Sequence, residues 1–84
     1  MDKKINELVK LFEEQKYISV IEKAEEILQK DKKHKHANNI IAAAYEKAGN
    51  EADAIKHFSL LIEYHPNHFP PYLNLGIIFR KKGD

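Results

Sequence analysis

Residues 35–68 read "KHANNIIAAAYEKAGNEADAIKHFSLLIEYHPNH", and the reading of this stretch decides the fold. It predicts two helices. The first covers about 35 to 48 and stops at Gly49, a residue suited to closing a helix C-terminus because it accepts a left-handed backbone. Asn50 offers a side-chain oxygen to the open N–H groups of the next helix, about 51 to 64. Pro66 bars any continuation.

The same grammar extends in both directions. Ile5, Leu8, Val9, Leu11 and Phe12 mark a helix over about 3 to 14. Tyr17, Val20, Ile21, Ala24, Ile27 and Leu28 recur at the spacing of one apolar helix stripe over about 17 to 30. Towards the C-terminus, Pro70 and Pro71 suit the first turn of a fifth helix that ends near Lys82, with Gly83 after it. Strand alternation occurs nowhere. Five helices joined by loops of a few residues leave antiparallel neighbours as the arrangement.

The chain also matches itself when advanced by 34 residues. Val20, Ile21, Ala24, Ile27 and Leu28 land on Ala54, Ile55, Phe58, Leu61 and Ile62, all apolar. Leu8 passes to Ala42 and then Gly76, Leu11 to Tyr45 and then Phe79, and His34 to His68. "AGN" at 48–50 falls on "KGD" at 82–84. The 84 residues therefore divide as one domain of two units, 1–34 and 35–68, and a half unit, 69–84, expected to be truncated.

Composition narrows the function. Apolar residues are 43% and charged residues 32%, an ordinary soluble balance, and the formal net charge is +1. That argues against a nucleic-acid binder, which concentrates strong positive charge. The local exception is "KDKKHKH" at 30–36, read as a solvated loop with anion contact as the alternative. There is no cysteine, hence neither disulfides nor thiol chemistry. The N-terminus lacks the apolar core of a signal peptide, and the longest apolar run, Ile40 to Tyr45, is far below the ~20 residues that span a bilayer. A cytoplasmic location and no membrane association are expected.

No catalytic constellation is legible. Ser59 lies two residues from His57, on a different helix face, so no nucleophile–base pair forms. The glycines are scattered and make no phosphate loop. His34 with His36 and His65 with His68 lack a completing carboxylate or cysteine at a ligand spacing, so they are read as exposed loop residues. No enzyme activity, no metal and no cofactor are expected.

A helix-turn-helix period of this length, with small residues at helix crossings, resembles the tetratricopeptide repeat family. Tyr72, Leu75, Gly76 and Phe79, followed by Gly83 and Asp84, match its pattern best. The middle unit places Ala42, Tyr45, Gly49, Ala54, Phe58 and Pro66 in the family's small, aromatic, turn, small, aromatic and proline slots, with Asn38 where a bulky aromatic is usual. The first unit departs most, with Val20 for the small residue, Gln15 for the turn glycine and Lys32 for the proline. The resemblance implies an all-α fold of antiparallel helix-turn-helix repeats stacked in a right-handed superhelix, five helices here. It also implies a concave groove, lined by the first helix of each repeat, that binds peptides or segments of other proteins.

Carried onto this chain, the groove is Ile5, Asn39 and Leu73 in one row, Val9, Ala43 and Ile77 in the next, and Phe12, Glu46 and Arg80 at the lip. Its apolar character suits an amphipathic helix or an extended apolar peptide. The residues with which some members clamp a carboxylate are missing, since Ile5, Val9, Ile40, Pro70 and Asn74 stand there. Two alternatives accompany this expectation. Tyr72, Leu75, Ile78 and Phe79 on an uncovered fifth helix would drive self-association into a homo-oligomer. Or the repeats would be the accessory array of an enzyme, such as a transferase, whose catalytic domain lies beyond Asp84.

Overall fold

The computed structural model describes residues 3–67 and residue 80. Four helices follow one another: α1 (Lys3–Glu13), α2 (Tyr17–Lys30), α3 (Lys35–Lys47) and α4 (Glu51–Tyr64). Their bounds lie within a residue of those expected from periodicity and capping. There is no strand among the described residues. The expected fifth helix falls outside them, apart from Arg80, which is helical and exposed.

The backbone repeats more faithfully than the side chains. α1 closes with Gln15 N–H donating to the Phe12 carbonyl at 2.9 Å and Lys16 N–H to the Leu11 carbonyl at 2.9 Å. α3 closes with the corresponding pair one period on, Gly49 to Glu46 at 3.1 Å and Asn50 to Tyr45 at 2.8 Å. Each is a Schellman closure, which requires a left-handed residue just past the helix. Gly49 adopts it with φ 88°, and Gln15 with φ 63°. At the ends of α2 and α4, Asp31 N–H donates to the Ile27 carbonyl and His65 N–H to the Leu61 carbonyl, at 2.9 and 2.7 Å. The backbone angles at these two residues are alike as well, −144°/87° and −137°/70°.

Packing follows from the stripes. α1, α2 and α3 share a core of Ile5, Leu8, Val20, Ala24, Ile41 and Ala44. α3 and α4 share a second, of Ala42, Ala54, Phe58 and Leu61. Tyr45 touches both. Ala42 and Ala54, expected at close helix crossings, are wholly buried. Related positions exchange bulk: Leu8 and Val20 in the first unit become Ala42 and Ala54 in the second, while Ala24 becomes Phe58, and all six are fully buried. A close-packed interior tolerates such exchanges when the summed volume is kept.

One buried polar residue sets the junction between the units. Asn38, only 1% exposed, donates through its Nδ2 to the Lys32 carbonyl at 2.9 Å and the His34 carbonyl at 3.1 Å. With both amide protons committed, its Oδ1 is left as the acceptor, 3.3 Å from Nδ1 of His57 on α4, which therefore carries the proton. His57 in turn stacks on Tyr45, ring centroids 5.6 Å apart. Asn38 thus ties the 31–34 loop to both helices of the second unit and spends its own buried amide on partners, as a buried polar group must.

Three outcomes are expected. A non-glycine residue in the left-handed region costs roughly 1–2 kcal/mol, partly offset in glycine by unfolded-state entropy. Gln15→Gly should therefore stabilise by about 0.5–1 kcal/mol, a rise of a few degrees in Tm. Gly49→Ala should lose about 1 kcal/mol through the backbone alone, because an added Cβ meets no atom within 4 Å. Burial, and then neighbouring Lys56, hold the His57 pKa below its ordinary 6.5. As pH falls through 6.5 the unfolded chain takes up the proton first, so the His57 contribution is complete above that value and lost below it. His57→Gln keeps a donor for Asn38 but cannot titrate, so thermal unfolding should show a flatter stability profile than wild type between about pH 7.5 and 5.5.

Candidate functional site

The first helices of the two units, α1 and α3, contact one another directly. A hollow of about 270 Å³ opens between them, lined by Ile5, Val9, Phe12, Glu13, His36, Asn39, Ile40 and Ala43. Five of the expected groove residues, Ile5, Val9, Phe12, Asn39 and Ala43, thus share one cavity wall. Leu73 and Ile77, from the same rows, lie outside the described residues, and so do Tyr72, Leu75, Ile78 and Phe79. Arg80 is not in this lining.

The five do different things. Ile5 belongs to the core and is 5% exposed, so it forms the floor. Val9 is 42% exposed and stands at the open face. Phe12 is half-buried and fixed edge-on against Tyr17, ring centroids 5.4 Å apart. Ala43 leaves space by being small. Asn39 is half-buried, yet its Oδ1 is fully covered and has no hydrogen-bond partner among the described residues.

Glu13, His36 and Ile40 were not among the expected groove residues. The signal was available: 36, 39, 40 and 43 fall at i, i+3, i+4 and i+7 on α3, and 13 stands one turn beyond Val9 on α1. They give the hollow polarity, with Glu13 at the end of α1 and His36 at the start of α3.

On the opposite side of α3 a second, more open hollow of about 340 Å³ is lined by Glu25, Leu28, Gln29, Tyr45, Asp53, Lys56 and His57. There the Tyr45 hydroxyl donates to Glu25 Oε1 at 3.0 Å. Burial, with that bond to the carboxylate, pushes the Tyr45 pKa up to about 12. A hydroxyl so held is a fixed donor near neutrality.

The loop histidines have structural partners. His34 caps α3, its Nδ1 accepting from Ala37 N–H at 3.1 Å. His65 Nε2 donates to the Lys33 carbonyl at 2.7 Å, joining the loop after α4 to the loop before α3. His68 lies outside the described residues. Among the described residues no three His, Asp or Glu side chains gather as metal ligands, and no helix is long and apolar enough to cross a membrane.

Two-helix units that repeat their turns, caps and buried positions at a fixed interval define a helical-repeat protein. The family model for the tetratricopeptide repeat matches residues 11–76, and the chain belongs to that family. No curated protein and no solved structure matches it. Tetratricopeptide repeats serve in general as protein-interaction modules and are typically non-catalytic.

The uncovered need of Asn39 has a measurable consequence. A buried acceptor without a partner costs about 1–3 kcal/mol. Asn39→Leu, which removes it and adds apolar surface to the hollow, should raise the unfolding midpoint in urea; a lowered midpoint would mean that the amide is satisfied in solution.

Proposed function

We propose that this protein is an interaction module that holds a peptide or helix of another protein in the concave groove between α1 and α3. In this reading the units stack as a right-handed superhelix with the groove on its concave side. One observation supports the reading above others: Val9 stands exposed over a hollow walled by Ile5, Phe12, Ile40 and Ala43, where a solvated helix pair would place polar side chains. An apolar side chain entering that hollow would bury surface on both helices at once. Its helix would present such anchors one turn apart. Asn39 lies in the wall beside the entering segment.

Selection of binding sequences from a displayed peptide library tests this. Selected peptides should carry two or more large apolar residues at helical spacing. Val9→Lys should weaken them at least about tenfold, as expected for a charge placed in an apolar contact. Backbone amide shifts on titration should concentrate at Ile5, Val9, Phe12, Asn39 and Ala43. Peptides that bind Val9→Lys as well as wild type, or shifts confined to α2 and α4, would remove the groove from consideration.

A further inference from the structure

We infer that the loop at 31–34, with Lys30 and Lys35 beside it, is a second contact surface for the same partner, and that it takes an acidic stretch of the peptide whose apolar residues fill the groove. The inference rests on the groove reading for the peptide's position, and on separate observations for its charge.

Residues 30–36 hold four lysines against one aspartate, in a chain whose formal net charge is only +1. The remainder is therefore net acidic, and the ends of the helices opposite this loop carry Glu13, Glu14, Glu46, Glu51 and Asp53 against Lys10, Lys16 and Lys47. Positive charge is gathered at one edge of the molecule, where the field of several lysines adds up.

The loop that carries these charges is held in place. Three consecutive carbonyls are engaged: Lys32 and His34 by Asn38 Nδ2, and Lys33 by His65 Nε2. The Lys33 ammonium lies 5.5 Å from the centre of the Tyr64 ring. The Lys33 N–H donates to Asp31 Oδ1 at 3.3 Å, so the one acidic side chain of the loop is turned onto its own backbone. Fixed charges bind with less ordering cost than mobile ones.

The loop adjoins the groove. His36 lines the hollow between α1 and α3, and the neighbouring Lys35 lines a separate hollow of about 330 Å³ with His65, Pro66 and Asn67. A chain leaving the groove past His36 would pass over Lys35 and onto the loop. At the other end of the groove Glu13 would repel an acidic segment, so the partner's polarity is set: acidic end towards His36.

A nucleic acid fits less well. Base stacking needs open aromatic faces, and here Tyr45 is stacked on His57, Phe12 is packed on Tyr17 and Tyr64 lies under Lys33.

The whole 84-residue chain and a displayed library of random peptides, selected at low salt, decide the matter. Selected peptides should place Asp and Glu on one side of their apolar anchors. A synthetic copy with those acids changed to Asn and Gln should bind about tenfold more weakly, and the difference should vanish at high salt, since exposed charges are screened. The triple variant K32Q/K33Q/K35Q, checked for helix content, should bind the acidic and neutral copies alike and should leave the neutral copy's affinity at the wild-type value. Val9→Lys should weaken both copies, which reads the groove independently of the loop. Equal affinity of wild type for the two copies would overturn the loop assignment while the groove stood. Full binding of both by Val9→Lys would overturn the groove and this inference with it. A thymidine oligonucleotide bound as tightly as the acidic peptide would replace the peptide by a nucleic acid at the loop.

Discussion

Helix α3 is packed on three sides, and the rest of the structure depends on how it is filled. It contacts α1, α2 and α4, so a single stripe of large side chains could not serve it. Ala37, Ala42 and Ala44 are fully buried on it, with Ile41 and Asn38 between them. Alanines let helices approach closely, and the bulk needed to fill the remaining space comes from the partners: Leu8 and Val20 on one side, Phe58 and Leu61 on the other. A helix so placed cannot be stable without its neighbours. That is the physical sense in which a repeat needs the next repeat.

The junction shows the same economy in polar groups. The loop between the repeats presents the Lys32 carbonyl, which no helix N–H reaches, and the His34 carbonyl, which also accepts the first backbone bond of α3 from Asn38 N–H at 3.1 Å. The Asn38 side chain meets both from inside the core and passes its own acceptor to His57. A bulky aromatic at this position would pack well but could not supply those bonds. The consequence is a stiff connection between α2 and α3, with Tyr45 bridging from Glu25 to His57 across the far side of the same helix. Stiffness here fixes the angle between α1 and α3, and hence the width of the hollow between them.

The helices were legible because apolar spacing, Gly49, Asn50 and the prolines all point the same way. The first unit was harder to read because its matches are not residue for residue. Val20 stands in a small slot and Ala24 in an aromatic one, and each departure is sensible only when the other is known. Gln15 hid a left-handed turn that glycine would have announced; its φ of 63° shows the closure kept by the backbone against side-chain preference. Asn38 read as a mismatch because the carbonyls it serves lie in another segment. Five residues of the hollow's wall followed from translating one helix face along the period. Glu13, His36 and Ile40 did not, since rows taken one residue at a time leave out the neighbours one turn away.

Neighbouring positions on α3 carry separate tasks. Successive residues on a helix point about 100° apart. Asn38 and Ala42 therefore face the core while Asn39 and Ala43 face the hollow. The hollow side carries exposed His36 and half-buried Asn39, Ile40 and Ala43, whereas Asn38 is committed to three partners. Packing and the wall of the hollow are thus written on the same 13 residues of α3. The basic loop extends this separation: its lysines project from a backbone whose carbonyls are already engaged, so charge there is free to vary without altering the frame that positions it. A repeat with an invariant backbone and changeable faces is what a binding surface assembled by stacking requires.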